Sequence, residues 1–237
     1  LESKSPPERL EFYKELLLRM GSKGSALAQE IFANASSFIK KPATLSTLVT
    51  DIDKLDWFSA RKEGLGDLYE GLLEKNANEK KSGAGQYFTP RPLIEAMVEV
   101  MKPTLKDVIQ DPAAGTGGFL ISANAYIRGQ GNPSKWTERE QTKYRQNTFY
   151  GMEHVQDTHR LALMNLFLHG LEPQIYLGDS IYEPDRGERY DCILTNPPFG
   201  TKGANQAPVR DDFTVSTSNK QLNFIQHVVT ILKQGGR

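Results

Sequence analysis

Asp111-Pro-Ala-Ala-Gly115-Thr116-Gly117-Gly118-Phe119 places an acid and then glycines where a short apolar run gives way to a helical pattern. Glycines there let a ligand approach the backbone closely, and a helix start presents unpaired N–H groups. A pyrophosphate is seated at such a turn in dinucleotide sites, but the Asp111 carboxylate would repel one and suits an ammonium- or sulfonium-bearing ligand. Glu153 ends the next strand-like run, the point where an acid accepts hydrogen bonds from ribose hydroxyls, and Asp179 ends the one after. Singly, a glycine-rich turn or an acid at a strand end is ordinary solvated structure. Successive acid-ended strands along the edge where open α/β sheets bind ligands point instead to a ligand that joins an amino acid to a nucleoside, S-adenosyl-L-methionine.

Asn196-Pro197-Pro198-Phe199 follows the next apolar run. An exocyclic amine conjugated to a base ring, or an amide nitrogen, is a poor nucleophile because its lone pair is delocalised. Acceptors on its two N–H bonds draw it towards a tetrahedral, more nucleophilic state. The Asn196 side-chain oxygen and the Pro197 carbonyl can supply them, the prolines stiffen the loop, and Phe199 can stack on the planar group. Read alone, the tetrapeptide is also an acceptable proline turn. The other candidates are weak. His154, His159, His169 and His227 show no metal-ligand spacing and are read as helix-surface or core residues, with no metal expected. Cys192 alternates within a strand and is expected in the packing. Thr201 to Lys220, with Lys202, Arg210 and Lys220 against Asp211 and Asp212, reads as a solvated loop.

The elements that must position these residues follow from periodicity. Residues 1–80 read as helical. Pro7 opens a first helix closed by Gly21, Ser25 to Ile39 form a second, Thr44 caps a third, and Leu65, Leu68, Leu72 and Leu73 mark a fourth. The polar, glycine-bearing stretch 76–85 predicts a boundary, with a second domain over 81–237. That domain alternates strand and helix: helix Pro92–Met101, strand 108–111, helix from about Gly117 to Arg128, a polar stretch 129–147 without strong period, strand 148–153, helix 156–168, strands 174–179 and 190–196, and helix 219–233. The pattern predicts an α/β fold, a mainly parallel Rossmann-like sheet covered on both faces and lacking its last strands.

Composition agrees with a globular protein. The 237 residues carry 29 Lys+Arg against 29 Asp+Glu, 38% hydrophobic residues and one cysteine, which excludes disordered, collagenous and disulfide-scaffold classes. No leader and no apolar run of about 18 residues is present, so a cytoplasmic chain with no membrane partner is expected. Formal neutrality offers little sequence-independent attraction to phosphates, so any nucleic-acid contact must be local or shared with a partner.

Gln86-Tyr87-Phe88-Thr89-Pro90-Arg91, Asp111 to Phe119, Gly151-Met-Glu153 with Leu161-Ala-Leu-Met-Asn165, Gly178-Asp179 and Asn196 to Gly200 stand in an order that resembles amino-group DNA methyltransferases. The resemblance is to the adenine-N6 modification subunit of type I restriction-modification systems, and it runs over about residues 64 to 237. It implies methyl transfer from S-adenosyl-L-methionine to N6 of an adenine flipped out of double-stranded DNA. It further implies that Gln86 to Arg91 cover the methionine end of the cofactor, that Asp111 and Gly115 to Gly118 lie beneath it, that Glu153 holds the ribose, and that Asp179 lies near the cofactor's adenine. The implied partners are a specificity subunit and a restriction subunit. Two other readings stay open on the residues: a protein glutamine-N5 methyltransferase, because an amide nitrogen poses the same chemical problem, and a module that holds the cofactor without catalysis.

Overall fold

The structure is a computed structural model and describes residues 3–57, 64–79, 89–172, 174–200 and 207–237. The chain divides into two compact units, residues 1–65 and 66–237. The first unit holds α1 (Pro6–Lys23), α2 (Ala26–Ile31) and α3 (Pro42–Asp53), with Leu10, Ile31 and Leu45 buried between them. Helix α1 begins at a reciprocal cap, in which Ser5 and Glu8 satisfy each other's end of the turn. It runs through Gly21, the residue expected to end it. Helix α2 is shorter than the expected 25–39, because Phe32 closes it and Asn34 turns the backbone to φ 54°.

The expected boundary at 80/81 differs from the division after Leu65. Helix α4 (Leu65–Glu79) lies with the second unit, where the Tyr69 hydroxyl reaches Met164 Sδ at 3.8 Å and Glu70 pairs with Arg91. Helix α5 (Arg91–Met101) follows, with Pro92 in its first turn and Ile94 and Val98 facing inward.

Strands β1 (Ile109–Asp111), β2 (Phe149–Glu153), β3 (Gln174–Leu177) and β4 (Cys192–Ile193) pair in parallel in the order β3-β2-β1-β4. The registers set Asp111 opposite Gly151 and Glu153 opposite Leu177. Helices α6 (Gly118–Gly129), α8 (Gln156–Leu168) and α9 (Lys220–Ile231) bury Phe119, Leu120, Ile121, Leu163, Leu166, Phe224 and Ile231, a covered sheet whose strands read as near-continuous apolar runs. Helix α7 (Glu138–Gln146) occupies part of the stretch read as aperiodic, and its reciprocal cap between Thr137 and Glu140 explains its start. The expected strand 190–196 is short. Besides Cys192–Ile193 it makes a single parallel bridge, Tyr190 to Leu232.

From β1 the chain moves to β2 on one side, while β4 lies on the other side of β1. Strand order therefore reverses between β1 and β4. A crevice outside the carboxyl ends of such strands is where open α/β sheets bind ligands. Asp111 ends β1, and Asn196 comes shortly after β4, so both stand at that switch point.

Candidate active site

Asp111 is 1% exposed, and its Oδ1 accepts the Ala113 N–H at 3.0 Å. Burial drives its carboxyl up to about 7, opposed by the Thr195 hydroxyl and the Ala113 N–H, and reinforced by the charge of Glu153. The acid is thus poised to ionise when a cation arrives. Residues 112–117 cross the strand ends as a tight turn. The Ala114 N–H donates to the Met152 carbonyl at 2.9 Å, and the Gly117 N–H to the Ala114 carbonyl at 2.8 Å. Gly151 makes this crossing possible, because a Cβ there would lie 3.0 Å from Ala114 Cβ and 3.2 Å from the Asp111 carbonyl oxygen. Gly115 and Gly117 take φ of 54° and 86°, a region that disfavours side chains, and no atom of the described residues lies within 4 Å of where a Gly115 Cβ would project.

Glu153 is buried at the end of β2. Its Oε2 accepts the Gly115 N–H at 2.9 Å and its Oε1 the Val155 N–H at 2.8 Å, which clamps the glycine turn to the strand. Each carboxylate oxygen keeps a second lone pair for a hydroxyl donor. The turn is also held from behind, where Asn165 of α8 donates to the Thr116 carbonyl at 3.0 Å. Asp179 follows β3, with its Oδ1 on the Ile181 N–H at 3.1 Å, and the Gly178 N–H donates to the Glu153 carbonyl at 3.0 Å. The structure therefore brings together Asp111, Gly115, Thr116, Gly117 and Glu153, with Asp179 beside them. At Gly118 a Cβ would stand 3.1 Å from Ile94 Cδ1 of α5.

Of the segment Gln86 to Arg91, Gln86, Tyr87 and Phe88 lie outside the described residues. Pro90 caps α5, and the Arg91 guanidinium is bound by Glu70 and by Glu95 at 3.1 Å. Thr89, expected over the cofactor's methionine end, accepts with its Oγ1 from Asn196 Nδ2 at 3.0 Å. With its amide nitrogen so engaged, Asn196 presents its oxygen as the free end. Asn196 and Pro197 are half-buried, while Pro198 is exposed and Phe199 is 54% exposed at the rim.

Several residues of the site were not legible as such in the sequence. Thr195 lies against Asp111 across the switch point, and the Ser180 hydroxyl binds the Pro112 carbonyl. Arg210, read as a solvated loop residue, has a side chain 1% exposed. It donates to the Ser180 carbonyl at 2.7 Å and pairs with Asp212, and its Nη1 lies 3.2 Å from His227 Nδ1. It thereby fixes the segment after the Asn196 loop to the end of β3. His227 is driven down to about 4 by burial and by the Arg210 charge. Cys192 is buried as expected, with its thiol pushed up to about 11 by burial. No described helix is long and apolar enough to cross a membrane.

A family model described as N-6 DNA Methylase matches residues 60–237. The chain is 41% identical over its whole length to the StySPI type I restriction enzyme methylase subunit of Salmonella potsdam and to the EcoKI methylase subunit of Escherichia coli K12, covering 47% of each. It thus spans about half the length of the curated relatives it matches. A solved structure described as the basis of complex assembly and conformational transition of the type I R-M system superimposes with a TM-score of 0.79 at 26% identity, over 98% of this chain and 48% of that one.

Proposed function

The chain belongs to the N-6 DNA methylase family, and from that premise we propose that it forms the cofactor and catalytic core of a type I modification subunit. In this reading a methyl group passes from S-adenosyl-L-methionine to N6 of an adenine flipped out of double-stranded DNA, because an adenine inside the duplex cannot reach a recessed site. The residues present suit that cofactor. Asp111 offers a carboxylate whose ionisation a cation favours, Glu153 retains acceptor capacity for ribose hydroxyls, and among the described residues nothing crowds Gly115 against close approach. When bound, the cofactor supplies an electrophilic methyl carbon on a sulfonium.

The single observation that carries the catalytic reading is the hydrogen bond from Asn196 Nδ2 to Thr89 Oγ1. It turns the Asn196 oxygen outward as an acceptor for one N6–H, and the Pro197 carbonyl is the natural acceptor for the other. Both withdraw the nitrogen from conjugation with the ring. With the cofactor held there, N6 would bond to the methyl carbon as the methyl–sulfur bond breaks, a neutral thioether would leave, and the surplus proton on N6 would pass to solvent. Phe199 at the rim replaces part of the stacking that the flipped base has lost. Proximity and alignment supply much of the rate.

Formal neutrality offers little sequence-independent hold on DNA, so in this reading a specificity subunit reads the sequence and a restriction subunit is the other partner, an assignment supported by the likeness to type I restriction enzyme methylase subunits. No observation favours a protein glutamine acceptor or a non-catalytic role. The test uses the full-length protein with its specificity subunit, labelled cofactor and DNA. Asn196→Ala should abolish methylation while cofactor affinity stays within about twofold, a change of less than 1 kcal/mol. Wild-type turnover in that variant refutes the reading.

A further inference from the structure

The four histidines have no metal-ligand spacing along the chain, yet one of them meets two carboxylates in space. His169 caps the end of α8, and its Nδ1 lies 2.8 Å from the Asn165 carbonyl oxygen. A carbonyl only accepts, so Nδ1 carries the proton and Nε2 of the neutral ring presents its lone pair. That Nε2 is shielded from solvent and has no hydrogen-bond partner among the described residues. Asp67 Oδ1 stands 3.5 Å from it. Asp67 and Glu70 share one face of α4, and one ligand atom from each of Asp67, Glu70 and His169 falls within 4.8 Å of the others. Glu70 is mostly buried, with 14% of its side chain exposed, and gives Oε1 to Arg91, leaving its other oxygen. Gly66 makes room for the ring: a Cβ there would stand 2.7 Å from His169 Cε1.

We propose that Asp67, Glu70 and His169 bind one divalent transition-metal ion of the zinc class. An imidazole with two carboxylates selects such an ion over magnesium or calcium, which favour oxygen-only ligation. A ligating histidine whose other ring N–H is held by a backbone carbonyl is the outer-shell arrangement that orients such rings. The local charge closes as well. Glu95 shares Arg91 with Glu70 at 3.1 Å, so three carboxylates face one guanidinium and one dication. The ion would tie α4 to the end of α8, the helix whose Asn165 holds the Thr116 carbonyl of the cofactor turn.

The experiment strips the whole protein with a chelator. It then titrates Co2+, followed through its visible d–d bands, with Zn2+ in competition and melting temperature as a second readout. We expect one equivalent of Co2+, displaced by Zn2+, and a melting temperature that rises with Zn2+. Asp67→Asn, at a side chain 75% exposed and therefore tolerated by the fold, should weaken Co2+ about tenfold or more and remove the Zn2+-dependent rise. His169→Gln should do the same. Absence of saturable binding up to millimolar Co2+, which leaves only a His169–Asp67 ion pair, overturns the proposal. So does binding unchanged in both variants.

Discussion

If Asp111 receives the cationic amino-acid end of the cofactor, binding must be linked to its ionisation. The carboxyl sits at about 7 in the free protein because burial penalises its charge, and an ammonium beside it would bring it far below that. Binding under acid conditions therefore releases a proton. With a titration point near 7, the ionised fraction falls from about nine-tenths at pH 8 to about three-hundredths at pH 5.5. Affinity should drop roughly thirtyfold over that range, about 2 kcal/mol at 1.36 kcal/mol per decade. Above about pH 8 the ligand's own amino group begins to lose its proton, so the profile should turn over there. Calorimetry in two buffers of different ionisation enthalpy, from pH 5.5 to 8.5, reads both the affinity and the proton count. Asp111→Asn should bind weakly and without the acid limb. The same group has a stability signature of defined sign. Its folded-state value is raised, so its contribution is full below about 3.8 and is lost as pH rises through about 7. Asp111→Asn should thus raise the melting temperature of the ligand-free protein at pH 8. Affinity constant within twofold between pH 5.5 and 8 would refute the assignment of Asp111 to the cationic end.

Three further outcomes follow from the same geometry. Glu153→Gln, chosen over alanine because it keeps the size and one acceptor oxygen for either the Gly115 or the Val155 N–H, should weaken cofactor binding by roughly 1.5–3 kcal/mol, and unchanged calorimetric affinity would remove Glu153 from the ribose. Gly151→Ala should destabilise the fold by about 1–3 kcal/mol and weaken the cofactor, since its Cβ would meet Ile175 Cδ1 at 2.8 Å as well as the turn, and denaturant titration with wild-type stability would contradict the close crossing. His227 is depressed to about 4, so its contribution to stability is present above about 6.5 and lost as pH falls towards 4; His227→Gln should flatten the stability profile in that window, as thermal melts across it would show.

The parts of the site that local sequence could announce are those made by one element at a time. Asp111, Glu153 and Asp179 each end a strand or follow one closely, and alternation of apolar runs with helical patterns was enough to line them up on one edge. Local signals were also present where the reading fell short. The Thr137-x-x-Glu140 cap marks the start of α7, but the helix it opens is so polar, with only Tyr144 buried, that hydrophobic period could not reveal it. Helix α1 passes Gly21 because one glycine costs only about 1 kcal/mol in a helix interior, which the flanking turns outweigh.

What no local signal could give is pairing across the chain. Arg210 looks like any loop cation until Ser180, 30 residues before it, and His227, 17 residues after it, close round it. Thr89 belongs by sequence with the segment expected to cover the cofactor, and its hydroxyl holds the Asn196 amide nitrogen, which in the proposed reading sets which end of Asn196 would face the target amine. Replacing it isolates that role. Thr89→Val keeps the shape and removes the acceptor, so the Asn196 amide is free to rotate and lose the orientation that presents its oxygen. The expected result is a fall in turnover of about fivefold, matching the roughly 1 kcal/mol of a single neutral hydrogen bond, with cofactor affinity unchanged. Thr89→Ser, which keeps the hydroxyl, should restore most of the rate. Loss of affinity with turnover intact in Thr89→Val would return Thr89 to the cofactor and leave the orientation of Asn196 to other contacts.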